Sequence, residues 1–372
     1  MINFILFLYL LFFNNFLFSI ENNTICDDYD LQMNNTDLLI HCAEKGYSIS
    51  QYNLGLSYQY GRNVQQDFSQ AFYWLNKAAE QQLPEAIFNI SLFYEKGIGV
   101  QQDKERAFKY IKELAEQGYT MALNNLGKYY QQGIGTPKDL KKGFEYYFLA
   151  VEKGAPSTAL VNLGHAYFYG IGTDVNISKA FEITKRAAEQ DDTLAMNNLG
   201  TFYKHLNNNK EAFYWFDKAA KMDNSLAQTN LGFSYAKGIG VEPNKEKALY
   251  WLNKAVKQSD PQAYFILGSL YSEQSILGKD DSKAFSYYQK AAELGNGNAQ
   301  NNLGNWFLNG RFVKKDEKEA LKWYLKAANE SNNPYAMYTL SELYKEGTKN
   351  ISKDPEKAKY WLEKAKENGL NL

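Results

Sequence analysis

The chain has 372 residues, enough for two ordinary domains or one elongated array. Its 41 Lys and Arg nearly balance 42 Asp and Glu, leaving a net charge of −1 without the basic excess of a nucleic-acid binder. With 29 Tyr and 23 Phe, the chain is too aromatic for a disordered one.

The first element is apolar. Phe4 to Phe13 reads FILFLYLLFF; Asn14 and Asn15 interrupt it, and a second short run ends at Ile20. Ten such residues suit a signal-peptide core and are too few to span a bilayer, and Ser19 offers a small residue for cleavage. Residues 1–20 are therefore read as a signal peptide, although no Lys or Arg precedes the run; an uncleaved anchor over residues 2–20 is the alternative. No later stretch is apolar enough to cross a membrane, and the ending NGLNL is not an ER-retention signal.

Residues 21–49 form an N-terminal segment that holds both cysteines, Cys26 and Cys42. In an oxidising compartment these can pair, which contributes about 3 kcal/mol in the chain-entropy model; two unrelated thiols are the alternative. Asn-x-Ser/Thr sequons stand at Asn22, Asn34, Asn89, Asn176, Asn329 and Asn350. Asn89 lies in a helical register that would crowd a glycan, so the other five are the candidate glycosylation sites.

From residue 50 to 369 the chain repeats itself, and residues 370–372 are a tail. Anchor residues of an NLG-like triplet fall at Gly55, Ser91, Gly127, Gly164, Gly200, Gly232, Gly268, Gly304 and Ser341, spaced by 36 or 37 with one interval of 32. Five before each anchor stands a small residue, such as Ala86 or Ala122. One before stands Leu or Ile, and three after stands an aromatic, such as Tyr94 or Tyr130. Positions −5, −1 and +3 form one stripe on a helix, here helix A. In seven repeats a glycine follows at +6, as at Gly61 and Gly97, where a left-handed residue ends a helix. Asp or Asn then recurs at one place: Asp67, Asp103, Asp139, Asn176, Asn208, Asn244, Asp280, Asp316 and Asp354. These are read as N-caps of a second helix, helix B. Helix B carries Ala four residues on and usually a large ring three further, as at Ala71 and Trp74. That slot holds five of the six tryptophans and is read as core.

The stretch EKGIGV (residues 95–100) has close copies at 131–136, 169–173 and 236–241. A phosphate loop would need a strand before it, a third glycine opening the next helix, or a GK[ST] ending, and none is there. The two glycines are read as a spacer between helix A and the Asp103 cap.

The pattern A-x-x-x-L-G-x-x-Y-x-x-G-x-G-V-x-x-D-x-x-K-A-x-x-W-x-x-K-A-A-E-x-G resembles the Sel-1-like repeat, a relative of the tetratricopeptide repeat. The resemblance implies an all-α fold: a right-handed superhelical α/α solenoid of nine antiparallel helix pairs. Residues 36–46, TDLLIHCAEKG, are similar to a lone helix B that precedes the first pair. Two repeats depart. The fifth, TFYKHLNNNKEAF, lacks both loop glycines, and the seventh has Gln274 where glycine is usual; both loops are expected to change the local turn and make the array irregular.

Chemistry is sparse. His41, His165 and His205 lie in separate repeats, and no metal-ligand spacing, GxSxG or HExxH occurs. Some bacterial proteins with this repeat carry a cysteine pair in each unit and are linked to β-lactam binding; these units hold no such pairs. The expectation is a non-enzymatic scaffold with no catalytic group, cofactor, metal or small-molecule substrate, binding protein or peptide partners and not nucleic acid.

Positions −3 and +1 of helix A lie opposite its packing stripe, so the partner surface is expected at Tyr52, Leu56, Phe88 and Leu92, and further along at Val161, His165, Phe233, Phe265 and Tyr338. Packing on the next helix is the alternative. Asn stands at −2 in seven repeats, among them Asn53, Asn89, Asn162 and Asn230, either as a structural bond or as a peptide-binding ladder. The signal-like start places the protein in the secretory pathway, in the ER lumen or secreted. Resemblance to luminal family members adds a role as an adaptor of ER-associated degradation as an alternative, with a secreted effector as another.

Overall fold

A computed structural model describes Cys26 and residues 35–370; the expected signal peptide, Asn22, Asn34 and the last two residues lie outside the described part. Among the described residues there are helices and no strands. The chain divides into two compact halves, one through Ile183 and one from Thr184.

In the N-terminal half, a lone helix α1 (Thr36–Glu44) precedes α2 (Ser48–Tyr60), α3 (Phe68–Glu80), α4 (Pro84–Lys96), α5 (Lys104–Glu116), α6 (Thr120–Gln132), α7 (Leu140–Glu152) and α8 (Ser157–Tyr169). The division falls inside α9 (Ile177–Ala188). The C-terminal half continues with α10 (Thr193–His205), α11 (Asn209–Lys221), α12 (Ser225–Lys237), α13 (Lys245–Lys257) and α14 (Pro261–Ser272). It ends with α15 (Asp281–Glu293), α16 (Gly297–Asn309), α17 (Glu317–Ser331), α18 (Pro334–Glu346) and α19 (Pro355–Glu367). From α2 onward the even helices are helix A of a repeat and the odd ones helix B. The helices from α1 to α8 and from α10 to α19 each pack on the next, and the chain is an all-α helical-repeat solenoid. No helix among the described residues is long and apolar enough to cross a membrane. Cys26 and Cys42 are disulfide-bonded, with their Cα atoms 5.5 Å apart, which ties α1 to the segment before it.

Local chemistry sets the helix ends. All nine Asp or Asn residues cap helix B, accepting from its first free amides; Asp67 Oδ1, for example, accepts from Ser69 N at 2.8 Å and Gln70 N at 3.0 Å. Six of the seven +6 glycines end helix A in the left-handed conformation, with Gly97 at φ 70°. The seventh, Gly347, has ψ 167° and opens a different loop. In the fifth repeat, Asn207 takes the left-handed place at φ 58°, and Gly200 still rests against the Phe216 ring as other anchor glycines rest on theirs. The short loop thus alters the turn and leaves the helix pair intact. In the seventh repeat, α14 ends at an extended Glu273, and Ser275 Oγ closes the loop by donating to Leu270 O.

The core departs from the sequence reading by one position. The tryptophan slot is half-buried at Trp74, Trp215, Trp251 and Trp323, while the next residue is fully buried: Leu75, Phe216, Leu252 and Tyr324; only in the last repeat is the tryptophan of the slot, Trp361, itself in the core. One residue is 100° of helix rotation, so the anchor glycine meets this second position. A Cβ on Gly55, Gly127, Gly232 or Gly304 would lie 2.6–2.7 Å from Leu75, Tyr147, Leu252 or Tyr324. The anchor glycine is where the two helices of a pair touch.

Candidate functional surface

The face of helix A away from helix B is built by bonds between successive repeats. The −2 asparagine donates back to the −3 residue of the repeat before it. Asn89 Nδ2 donates to Tyr52 OH at 3.1 Å, Asn162 Nδ2 to Asn124 Oδ1 at 2.9 Å, and Asn230 Nδ2 to Asn197 Oδ1 at 2.9 Å. A second rung runs at −4: Gln51, Gln228 and Gln300 each donate Nε2 to the last turn of the preceding helix B, at Ala43 O, Ala220 O and Ala292 O. Their Oε1 atoms accept from Gln81, Gln258 and Ser331 at the end of their own repeat's helix B. Asn89, Asn162 and Asn230 are therefore structural, because their donors are engaged within the array. The ladder has gaps: Asn53 Nδ2, at the −2 place of the first repeat, is buried without a partner, as is Asn301 Oδ1, because Thr339, at the −2 place of the ninth repeat, donates to Tyr335 O in its own helix.

This bonding explains why the expected partner residues are half-buried and not fully exposed. Tyr52, Leu56 and Phe88 pack against the core of the N-terminal half, with the Phe88 ring 6.0 Å from Tyr119 at the start of the next repeat. Leu92, Phe233, Phe265 and Tyr338 are likewise half-buried. Phe233 has Lys204 Nζ 5.4 Å above its ring, and Phe265 lies 5.9 Å from Tyr288. Tyr338 packs against the last core cluster. Val161 is only 4% exposed and leaves the surface: at the register where Tyr52 and Phe88 reach out, its side chain is too short. His165 lies 4.6 Å from Tyr169, and burial pushes its imidazole below the ordinary range, so it is neutral at neutral pH. Burial similarly raises the Tyr52 phenol, against the opposing hydrogen bond from Asn89.

Nothing among the described residues gathers into a reactive constellation, and no group of three or more potential metal ligands is present there. Of the sequons inside the described part, Asn176 caps α9 through Oδ1, which leaves its nitrogen uncommitted by that bond. Asn329 is exposed on α17, and Asn350 donates Nδ2 to Glu317.

A second set of exposed rings lies on helix B. Tyr214 and Tyr250 are 55% and 57% exposed, each packed edge-on against the tryptophan that follows, with Lys218 and Lys254 over Trp215 and Trp251. Tyr73 and Tyr360 repeat the arrangement. The Tyr-Trp dipeptides were visible in the sequence; assigning the tryptophan slot to the core hid that its neighbour faces solvent.

Comparison with known proteins agrees with the architecture. Among curated protein sequences none matches the chain. Solved structures do. A protective antigen of uropathogenic Escherichia coli strains that displays an SLR fold is 29% identical over 90% of this chain and 80% of that one, with a TM-score of 0.52. A Sel1 repeat protein from Oxalobacter formigenes is 27% identical over 83% of this chain and 90% of its own, with a TM-score of 0.48. The Sel1 repeat family model matches nine times, at residues 48–83, 84–119, 120–154, 157–192, 193–224, 225–260, 261–296, 297–332 and 334–370, and the chain belongs to the Sel1 repeat family.

Proposed function

We propose that this protein is a non-enzymatic interaction scaffold of the secretory pathway that holds a protein partner across helix A of its first two repeats, at Tyr52, Leu56, Phe88 and Leu92. Sel1 repeat proteins generally mediate protein–protein interactions. The observation that carries the choice of surface is the Asn89–Tyr52 bond: it fixes a half-exposed ring beside Phe88 in the neighbouring repeat. Rings held in place lose little entropy on binding, which is why such residues dominate interface energetics. The apolar leader and the Cys26–Cys42 disulfide support an oxidising compartment.

Crosslinking pull-down with the wild type and a Tyr52→Ala/Phe88→Ala variant tests the surface, with circular dichroism confirming that the variant folds. Loss of partners from the folded variant is expected; equal recovery would sink the surface. The partner recovered separates an adaptor of ER-associated degradation from a secreted effector. A glycosidase-sensitive mobility shift is expected for the expressed protein, and an unglycosylated cytosolic form would overturn the location.

A further inference from the structure

Two junctions between repeats in the same register are built differently. At the junction of the second and third repeats, Glu95 stands four residues after its anchor. Its carboxylate accepts from Lys128 Nζ at 2.8 Å and from Tyr129 OH at 2.9 Å, one and two residues after the next anchor. The Glu95 side chain is only 11% exposed, so the junction carries its own buried carboxylate.

At the junction of the seventh and eighth repeats, Ser272 stands where Glu95 does, Asn305 where Lys128 does and Trp306 where Tyr129 does. At this junction a cavity of about 280 Å³ lies between α14 and α16, lined also by Tyr288, Asn302 and Arg311. Its walls are rich in donors. Asn305 uses Oδ1 to accept from Tyr324 OH at 2.7 Å, which leaves its NH₂ for another acceptor. Arg311 lies 4.4 Å above the Trp306 ring and spends only Nη2, on Ser272 O and Asp281 Oδ1, both at 2.6 Å. Its Nη1 and Nε donors are not used in those bonds. Asp281 offsets one unit of charge, so binding here depends on directed N–H groups more than on net charge. The volume falls below the roughly 300–1,000 Å³ of pockets for drug-sized ligands and suits a single small group.

We propose that this cavity binds one carboxylate of a partner polypeptide, which takes the place that Glu95 fills from within at the earlier junction. The acid comes either from an Asp or Glu side chain or from a chain end. The site lies on other repeats than the Tyr52–Leu92 surface, and either can fail without the other.

The test uses the full chain with ¹⁵N-labelled tryptophan and follows the Trp306 indole resonance, assigned with Trp306→Phe. Three peptides are titrated to about 10 mM, a range that captures millimolar affinities: acetyl-Ala-Ala-Asp-amide, acetyl-Ala-Ala-Ala with a free carboxylate, and acetyl-Ala-Ala-Ala-amide. A saturable shift with at least one acidic peptide and none with the neutral one is expected, and the responding peptide identifies the source. Ser272→Glu restores an internal carboxylate and should abolish the shift; Arg311→Gln should weaken binding about tenfold. The proposal is overturned if neither acidic peptide shifts the resonance, if the neutral peptide shifts it equally, or if both variants bind like the wild type.

Discussion

The two glycines of EKGIGV support a quantitative contrast. Both are left-handed, Gly97 at φ 70° and Gly99 at φ 64°, so alanine at either costs about 1–2 kcal/mol in backbone conformation. Their surroundings differ. A Cβ on Gly97 would first meet the Gln102 Cβ at 3.1 Å, a side-chain atom in an exposed loop that can give way. A Cβ on Gly99 would lie 2.1 Å from the carbonyl oxygen of Phe68, in the first turn of the preceding repeat's helix B, and would have to retreat by about 0.9 Å to reach even 3.0 Å. Neither backbone can move alone, and overpacking of this kind adds about 1–3 kcal/mol. Gly97→Ala should therefore lose about 1–2 kcal/mol and Gly99→Ala about 2–5 kcal/mol. Urea unfolding followed by far-ultraviolet circular dichroism, with m-values compared, measures both. If Gly99→Ala is no worse than Gly97→Ala, the second glycine is only a turn residue and the contact between repeats has no energetic weight.

Thr339→Asn should supply the missing rung to Asn301 and raise stability by about 1 kcal/mol in the same assay; no gain would mean that the buried carbonyl is already satisfied. The capping carboxylates Asp139, Asp280 and Asp354 are held below the ordinary 3.8, chiefly by the backbone amides of Lys142, Lys283 and Lys357. A lowered folded-state value gives stability that is present above 3.8 and lost as pH falls through the folded value, so the triple Asp→Asn variant should unfold with a flatter acid limb. An unchanged acid limb would refute that account. Cys42→Ser should lower stability by up to about 3 kcal/mol, as should reduction of the wild type; an unaffected melt would show that α1 docks without the bond. Glu317→Ala should speed amide exchange in α18 and α19 over the rest of the C-terminal half, because Thr348 and Asn350 lose their common acceptor; uniform exchange would contradict this.

What was legible in the sequence is what a repeat writes locally. Nine caps and six left-handed glycines sit where spacing put them, because a cap depends on three or four adjacent residues. What was not legible is contact between repeats. The Gly99 approach to Phe68 crosses 31 positions, and nothing in EKGIGV announces it. The −3 side chains are half-buried for the same reason: helical periodicity within one helix cannot count the cover provided by the next repeat. The core of helix B was displaced by one residue because the buried slot varies among Leu75, Ile111, Tyr147, Phe216 and Tyr324, while the half-buried slot beside it repeats Trp and Tyr. Constancy of residue type drew attention to the wrong face; the anchor glycine, whose missing side chain makes room for the variable slot, was the better guide.

The loops of successive repeats solve one packing problem in two ways. In the second, third, fourth and sixth repeats, the second glycine lets the loop backbone press on the carbonyl of the first helix B residue before it: Phe68, Lys104, Leu140 and Asn209. That contact is steric and carries no charge. In the seventh, eighth and ninth repeats, where the second glycine is absent, the side chain of that same first residue reaches the loop instead. Lys245 Nζ donates to Leu277 O at 3.5 Å, Asp281 pairs with Arg311, and the buried Glu317 accepts from Thr348 Oγ1 at 2.8 Å and Asn350 N at 3.1 Å. Phe312 then occupies the left-handed place at φ 62° with its ring 5.6 Å from Phe285, because its loop no longer has to touch the helix backbone. The seventh to ninth repeats therefore have loops tethered by polar side chains, and it is beside one of them that the donor-lined cavity between α14 and α16 lies. A glycine contact closes a junction against everything, whereas a side-chain tether holds it together and leaves room beside it for a ligand.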